Sequence, residues 1–197
     1  NICKKLEANN NMVTVLPYGK YFGEAAKNFY RLIKDVDFSN FDYISFSDQD
    51  DIWLPNKLFH AINVLKDNYL EAYSSDVIAF WEDGKEKLLK KSFPQKKFDY
   101  YFESPGPGCT YLLTKDSAEI FKFFLINNYN EVNAISSHDW FIYAFFRSRN
   151  MSWLIDKNAL MFYRQHNSNQ VGINHGFTAY LKRLKMIKNG WYSSEVK

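Results

Sequence analysis

The spacing of apolar residues predicts alternating strands and helices in the N-terminal part of the chain. Residues 12–16 have the pattern of a short buried strand, and apolar residues between 22 and 37 recur at the spacing of an amphipathic helix. A second strand is predicted at 41–47. The next helix is predicted to start at Pro55 and end near Asn68, with a buried stripe formed by Leu58, Ile62, Leu65 and Tyr69.

This alternation is typical of an α/β protein with a mixed, mainly parallel sheet flanked by helices. Asp83-Gly84 marks a hairpin turn. Ligands of such folds collect at the carboxyl ends of the strands, so the residues that follow 41–47 are the first candidates for a site. Further strands are predicted at 77–81, 110–114, 151–155 and 160–163, and further helices at 116–127 and from His138 onward.

Three carboxylates, Asp48, Asp50 and Asp51, directly follow the strand at 41–47. Close carboxylates repel one another unless a positive charge lies among them. In an extended strand Asp48 and Asp50 project to the same side, about 7 Å apart. That spacing suits one Mg²⁺ or Mn²⁺ ion with the phosphates it carries. Alternatively the aspartates form a turn and cap the next helix, and for Asp51 the two interpretations have equal support.

The composition is that of a folded domain. The 197 residues are 46% hydrophobic and 19% aromatic, enough for a substantial core. No apolar run approaches the ~18 residues of a membrane span, so the sequence predicts a soluble chain. Cys3 and Cys109 form no disulfide pattern, which fits the reducing cytoplasm.

The net charge of +3 is unevenly distributed. Residues 176–197 form a predicted basic amphipathic helix and tail that follow a main domain at 1–175. That main domain is slightly acidic, which argues against a nucleic-acid binder. The basic helix suits reversible contact with the inner face of the plasma membrane. Packing against the domain with its lysines in water is an equally good interpretation.

Three other stretches contain candidate functional residues, but each of them taken alone also has a purely structural interpretation. The Pro-Gly-Pro-Gly run at 105–108 permits close approach of a ligand, or forms a plain tight turn. His138 and Asp139 stand at the start of a helix, where an acid also serves as a simple dipole partner. Arg164 and His166, taken alone, are more typical of paired surface residues than of ligands.

Three motifs nevertheless occur in one order: Asp48-Gln49-Asp50-Asp51-Ile52-Trp53, then His138-Asp139-Trp140, then Tyr163-Arg164-Gln165-His166. In this order they resemble the motifs of family 2 glycosyltransferases with the GT-A fold, most closely those of the bacterial rhamnosyltransferase branch. The match extends over nearly the whole chain, and its first motif is the most specific.

The resemblance implies inverting sugar transfer from a nucleotide-diphosphate donor, with Mg²⁺ or Mn²⁺ as cofactor. It implies that Asp139 is the general base. It further implies donor contacts at Gly23, Asn28, Asp48, Arg164 and His166, metal contacts at Asp48, Asp50 and His166, and acceptor contacts at Gly108, Cys109, His138 and Trp140.

These residue types suit the reaction on chemical grounds. Departure of a nucleoside diphosphate leaves negative charge, which a metal ion and a nearby Arg or His stabilise. Inversion requires a base on the opposite side of the sugar to take the proton of the acceptor hydroxyl. By resemblance, the expected donor carries a deoxyhexose such as rhamnose on dTDP. The expected acceptor is a surface polysaccharide or its lipid-linked precursor.

One part of the family pattern is missing. Family members open with a strand and helix that hold the nucleobase, and nothing before Met12 matches them. Loss of that strand would expose a sheet edge, so marginal stability or self-association is expected. Two other functions remain open on the sequence: a sugar-nucleotide or glycan-binding remnant without turnover, and a metal-dependent phosphoesterase that uses the Asp cluster.

Overall fold

The computed structural model describes residues 2–17, 21–166 and 188–190. Its helices are α1 (Ile2–Asn9), α2 (Ala25–Asp35), α3 (Lys57–Asn68), α4 (Lys115–Asn127), α5 (Tyr129–Val132) and α6 (His138–Ser148). Its strands are β1 (Tyr43–Ser45), β2 (Ile52–Trp53), β3 (Ala72–Ser75), β4 (Val77–Phe80), β5 (Glu86–Leu89), β6 (Leu112–Thr114), β7 (Trp153–Asp156) and β8 (Met161–Arg164). Single 3₁₀ turns lie at Asp99–Tyr101 and Gly108–Thr110.

The strands form two four-stranded sheets, in the orders β1-β6-β3-β7 and β2-β8-β4-β5. The chain passes from the first sheet to the second at Asp76, whose backbone N–H donates to the Asp156 carbonyl at 2.9 Å. On either side of this point β3 pairs in parallel with β7, and β4 in parallel with β8. The two sheets are therefore joined where these strand pairs run side by side.

Alternate residues of the central strands point into two different layers. Ala72 and Leu113 belong to a cluster with residues of α2, α4 and α6, whereas their neighbours Tyr73 and Leu112 pack against α3. Successive side chains of a strand point to opposite faces. The first sheet therefore lies between α3 on one face and α2, α4 and α6 on the other.

Aromatic packing fixes the position of α6. Trp153 of β7 makes edge-to-face contacts with Tyr111, Tyr143 and Phe146 at centroid distances of 4.9, 5.1 and 5.4 Å. Such pairs each add about 0.5–1.5 kcal/mol beyond the burial of their area. Since two of these rings belong to α6, the core determines where the first turn of that helix lies.

The α/β class predicted from the sequence is confirmed, as are most of its elements. Helices α2, α3, α4 and α6 and strands β4, β7 and β8 lie within a few residues of their predicted bounds. Asp83-Gly84 does turn a hairpin between β4 and β5. Strands β2 and β3 were not predicted, because β2 is two residues long and β3 contains two serines.

The sheets contain less parallel pairing than predicted. Among the described residues, four of the six strand pairings are antiparallel. One cause is β6, which lies antiparallel between β1 and β3. The order of apolar segments indicates that strands and helices alternate, but it does not indicate in which direction the chain re-enters the sheet.

Two local predictions are wrong. Residues 12–16 pair with no strand in the described part of the chain; instead the N–H of Val13 donates to the Asn10 carbonyl and that of Val15 to the Glu7 carboxylate. Tyr69 is 93% exposed rather than part of the buried stripe. It stands just after α3 in the left-handed conformation, with φ of 53°, and this turns it away from the helix face.

Some predictions lie beyond what the structure tests. The basic helix predicted at 176–197 falls almost wholly outside the described residues, so its boundary with the main domain and its membrane contact stay predictions. In the described part of the chain no helix is long and apolar enough to cross a bilayer. β1 lies at the edge of its sheet, and self-association through such an edge stays a prediction.

Candidate active site

A cavity of about 200 Å³, called the polar cavity below, opens between the turn after β1, the end of β8 and the start of α6. All three motifs singled out in the sequence contribute to its wall. The lining residues are Ala25, Asp48, Gln49, Asp50, Pro107, Gly108, Ser136, Ser137, His138, Asp139, Tyr163, Arg164 and His166.

Hydrogen bonds join the aspartate turn to the end of β8. The Arg164 backbone N–H donates to Asp51 Oδ1 at 3.0 Å, and the Arg164 side-chain Nε donates to the Asp50 carbonyl at 2.9 Å. His166 Nε2 lies 3.0 Å from Asp50 Oδ2. The Arg164 guanidinium also lies over the Phe80 ring, 4.6 Å from its centroid. The first and third motifs are thus held together by direct bonds.

The separation of Asp50 and His166 fits a shared divalent cation. Two ligand atoms at right angles around Mg²⁺, each about 2.1 Å from the ion, lie about 3 Å apart. Carboxylate oxygen is the preferred ligand of Mg²⁺ and Mn²⁺, and Asp48 adds a second carboxylate to the same cavity. Asp50 and His166 therefore suit two neighbouring positions around such an ion, whereas the donor atom of Asp48 is grouped with those of Asp51 and Cys109.

A second set of donor atoms lies deeper. Single donor atoms of Asp48, Asp51 and Cys109 lie within 4.8 Å of one another. Burial, together with the negative charge of Asp51, raises the pKa of Asp48. Burial likewise raises the pKa of the Cys109 thiol well above its ordinary value. A protonated thiol is a poor ligand for a hard cation, so this set is less suited to Mg²⁺ than the cavity wall above it.

Asp139 stands in the first turn of α6 and faces the polar cavity. Its Oδ1 accepts the backbone N–H of Trp140 at 2.8 Å, and its carbonyl accepts the Tyr111 hydroxyl at 3.1 Å. Tyr111 is fully buried, so this second bond ties the helix start to the core. The carboxylate predicted to be a base therefore lies on the same cavity as Asp48 and Asp50.

His138 is packed tightly beside it. Its ring stacks on Phe29 with centroids 4.5 Å apart. Its buried Nε2 has no hydrogen-bond partner among the described residues. A Cβ atom added at Gly108 would lie 2.7 Å from that nitrogen, so position 108 requires glycine. Burial lowers the pKa of His138, which favours the neutral imidazole.

Four of the predicted site residues do not reach the polar cavity. Gly23 lies just before α2 and Asn28 lies within it, and both are exposed. Among the described residues of this region, only Ala25 lines the polar cavity. Cys109 is 1% exposed and lies beneath the cavity. Trp140 points the other way: its Nε1 donates to the Tyr100 carbonyl at 2.7 Å.

Trp140 lines a second cavity of about 410 Å³, called the aromatic cavity below. Phe124, Phe141 and Phe145 form part of its wall. The acceptor contacts predicted for Cys109 and Trp140, and the donor contacts predicted for Gly23 and Asn28, are therefore not supported by the positions of these residues.

The structure also adds residues that the sequence did not single out as site residues. Gln49, Tyr163, Ser136 and Ser137 line the polar cavity. All four lie within or next to one of the three motifs, and this proximity is the sequence feature that could have identified them. Lys57 is a different case. It is buried at the start of α3, although lysine is rarely buried.

The chain is similar in sequence to the dTDP-rhamnosyl transferase RfbG of Shigella flexneri, with 50% identity over 197 residues. This similarity covers 100% of the chain and 68% of the relative. No protein-family model matches the chain.

Among solved structures, the fold is similar to that of S. aureus TarS 1–349, determined in complex with UDP-GlcNAc, with a TM-score of 0.57 and 14% identity. The match covers 85% of the chain and 46% of the TarS chain, so the chain spans less than half of that structure. At this identity the likeness concerns the fold alone, and it agrees with the α/β, GT-A-like class expected from the motifs.

Proposed function

Because the chain belongs to the dTDP-rhamnosyl transferase family of glycosyltransferases, we propose that it moves rhamnose from a dTDP-linked donor to a glycan hydroxyl, with inversion at the anomeric carbon. The acceptor in this proposal is a surface polysaccharide or its lipid-linked precursor. The observation that carries the proposal is the polar cavity, whose lining includes Asp48, Asp50, Asp139, Arg164 and His166.

The donor end of the reaction is assigned to the first and third motifs. Asp48, Asp50 and His166 would hold Mg²⁺ or Mn²⁺, and the bound ion would neutralise the diphosphate as it leaves. The bond that the Arg164 side chain donates to the Asp50 carbonyl fixes the guanidinium before substrate arrives. A preorganised charge of this kind stabilises a leaving group without reorganisation during the reaction.

The acceptor end is assigned to Asp139. As the acceptor hydroxyl attacks the anomeric carbon, its proton passes to the Asp139 carboxylate while the bond to the dTDP oxygen breaks. A carboxylate serves here because the proton becomes acidic only as the new glycosidic bond forms. The bonds to Trp140 and Tyr111 hold the start of α6, and therefore this carboxylate, in position.

The test compares Asp139→Asn with Asp116→Asn. Asp116 is the matched control because it is also the acid in the first turn of a helix, α4, and it is exposed away from the cavity. With dTDP-rhamnose and Mg²⁺ or Mn²⁺, we expect Asp139→Asn to lower kcat for transfer by about 100-fold or more. Affinity for dTDP, measured by calorimetry, should stay at the wild-type level, and Asp116→Asn should resemble wild type in both measurements.

Other outcomes would change the assignment. Normal transfer by Asp139→Asn would remove its role as base. Metal-dependent binding of dTDP by the wild-type chain, with no product from any glycan acceptor, would select the binding protein instead. Release of inorganic phosphate from simple phosphate esters would select the phosphoesterase. Asp50→Ala should abolish metal-dependent dTDP binding, and retention of that binding would move the metal site elsewhere.

A further inference from the structure

The segment between β5 and the Pro-Gly-Pro-Gly run exposes aromatic side chains that the reaction proposed above does not use. This segment, residues 90–104, is called the basic loop below. Phe102 is 78% exposed, and Phe93, Phe98 and Tyr101 are each between 44% and 56% exposed. The rings of Phe98 and Tyr101 lie 6.1 Å apart. Single exposed apolar residues are ordinary, whereas several that lie together mark an interaction surface.

The two ends of the basic loop are held close together. Lys91 Nζ donates to the Ser104 carbonyl at 3.4 Å, and the Lys91 backbone N–H donates to Asp76 Oδ1 at 2.5 Å. Phe93 is two residues after Lys91, and Phe102 is two residues before Ser104. Both therefore lie near this closure, so the exposed aromatic residues belong to one compact loop rather than to an extended chain.

The middle of the basic loop is anchored on α6. Arg147 Nη1 lies 3.3 Å from Asp99 Oδ1, and Arg147 Nη2 donates to the Lys96 carbonyl at 3.1 Å. The Tyr143 hydroxyl donates to Asp99 Oδ2, also at 3.1 Å. The Asp99 side chain is only 11% exposed, so these bonds are made on the inner side of the loop. The outer surface is thereby formed before any partner arrives.

The charge on the basic loop is predominantly positive. Its charged residues are Lys90, Lys91, Lys96, Lys97, Asp99 and Glu103. One of the two acids, Asp99, is turned inward by the ion pair described above. Lys90 Nζ lies 5.2 Å from the centroid of the Phe93 ring, and Lys97 Nζ lies 5.1 Å from that of Phe98. Lysines beside exposed rings match an anionic bilayer, whose phosphates attract the ammonium groups and whose interface accepts aromatic rings.

The basic loop also adjoins the acceptor side of the polar cavity. The Tyr100 carbonyl accepts the Trp140 Nε1–H at 2.7 Å, and Trp140 directly follows Asp139. The loop leads into the Pro-Gly-Pro-Gly run, of which Gly108 lines the cavity. A surface bound by the loop would therefore lie next to the cavity that Asp139 faces.

Resting on the proposed function, we propose that the basic loop binds the anionic surface of a lipid bilayer and so brings the polar cavity to a lipid-linked acceptor. The lysines are attracted to the lipid phosphates, and the exposed rings enter the interface below the headgroups. This contact is independent of the basic helix predicted at 176–197.

The aromatic contribution is tested with Phe102→Asn and Phe102→Trp in the full chain. Phe59→Asn is the matched control, because Phe59 is 70% exposed but lies on α3, on the opposite face of the first sheet from α6. Each chain is sedimented with vesicles of phosphatidylcholine alone and of phosphatidylcholine and phosphatidylglycerol in equal amounts.

For the mixed vesicles, we expect Phe102→Asn to lower the partition coefficient by about fivefold, because the exposed ring no longer leaves water. Phe102→Trp should bind at least as well as wild type, since tryptophan favours the membrane interface. Phe59→Asn should bind as wild type does.

The charge contribution is tested with Lys96→Gln/Lys97→Gln against Lys66→Gln/Lys157→Gln, which removes the same net charge elsewhere. Lys66 is exposed on α3, and Lys157 is exposed just after β7. We expect the loop variant to bind the mixed vesicles about tenfold or more weakly, since each lysine near an anionic surface adds about fivefold. The control should stay within about twofold of wild type. Wild-type binding should be weak on phosphatidylcholine alone and should fall as salt is raised.

Two further measurements separate bilayer binding from folding and from donor binding. The melting temperature of each loop variant should match that of wild type, because the substituted side chains are exposed. The affinity for dTDP, measured by calorimetry, should also match, because none of these residues lines the polar cavity.

Three results would overturn the inference. The wild-type chain could fail to sediment with the mixed vesicles, or it could bind phosphatidylcholine alone equally well. The loop variants could bind the mixed vesicles as tightly as their controls, which would place the contact elsewhere in the chain. A wild-type chain that binds vesicles through the loop but neither binds dTDP nor transfers sugar would instead refute the proposed function and leave the bilayer contact standing.

Discussion

The two cavities beside the start of α6 differ in nearly every physical respect. The polar cavity, about 200 Å³, is lined by carboxylates from two motifs, an arginine and two histidines. The aromatic cavity is larger, about 410 Å³, and is lined mainly by rings and aliphatic side chains. Ser137, the residue before α6, lines both cavities. The larger cavity is not the one in which the titratable groups converge.

The two cavities also differ in what their polar side chains bind. In the aromatic cavity Trp140 Nε1 is bonded to the Tyr100 carbonyl, and the Arg149 guanidinium lies 3.8 Å from the centroid of the Phe145 ring. In the polar cavity, by contrast, the bonds made by Arg164 and His166 hold the aspartate turn in place. One cavity is a gap in the hydrophobic packing, and the other is a prearranged set of charges.

Among the changes that test this contrast between the two cavities, the largest effect is expected from Gly108→Ala, which adds one methyl group to the wall of the polar cavity. That methyl would lie 2.7 Å from His138 Nε2 and 3.5 Å from Asp139 Cβ, while Phe29 blocks retreat of the His138 ring. The first turn of α6 must therefore shift, and we expect transfer to fall about tenfold or more and stability by about 1–3 kcal/mol. Turnover assays and urea unfolding measure the two effects.

The double variant Gly108→Ala, His138→Ala is the control for this clash. It removes the side chain that the methyl meets, so it should regain most of the lost stability. Wild-type turnover in Gly108→Ala would show that the position of α6 is not critical for the chemistry, and would weaken the contrast between the two cavities.

A smaller effect is expected from Ala144→Leu, which fills part of the aromatic cavity from within α6. The added apolar surface should raise stability by about 1 kcal/mol, or about 2–4 °C in melting temperature for a chain of this size. Transfer should stay within about twofold of wild type. Ala144→Ser, which adds only one hydroxyl group and no apolar surface, is the matched control. A large loss of transfer at unchanged dTDP affinity would instead assign this cavity, and with it Trp140, to the acceptor.

The smallest effect concerns pH and comes from Lys57, the buried lysine at the start of α3. Burial lowers the Lys57 pKa from 10.5 to about 8. Between these values the unfolded chain binds more protons than the folded chain, so this group makes the free energy of unfolding rise with pH.

Urea unfolding at about pH 7 and about pH 9 measures this rise in the free energy of unfolding. Lys57→Met, which has no amine to titrate, should lack the contribution of this group. An equal dependence on pH in the wild-type chain and in Lys57→Met would contradict the lowered pKa of Lys57.

The convergence of the motifs was predictable because carboxyl ends of strands and starts of helices meet at one edge of such folds. Asp48 and Asp139 are far apart in the chain, yet both line the polar cavity. The roles assigned to them remain predictions. Their shared location could be predicted from the sequence, because Asp48 follows a strand and Asp139 stands at the start of a helix.

The errors come from side-chain direction, which depends on single residues. Gly108 and Cys109 are neighbours, but a 3₁₀ turn directs one to the cavity and the other to the core. Asp139 and Trp140 are likewise adjacent, and successive residues of a helix point in different directions. Lys57 was overlooked because a buried lysine contradicts the usual distribution of charge. Motif order identifies a region, whereas tertiary packing decides which atoms face it.

Because Cys109 is buried beside Asp48 and Asp51, its reactivity reports local opening beneath the polar cavity. A thiol reacts with alkylating reagents as the thiolate and only when it is accessible, and both conditions are unfavourable here because of burial and the neighbouring carboxylates. Cys3, by contrast, is exposed. In the folded chain iodoacetamide should therefore label Cys3 quickly. It should label Cys109 only when the structure around Asp48 and Asp51 opens locally, so the rate of Cys109 labelling measures how often that opening occurs.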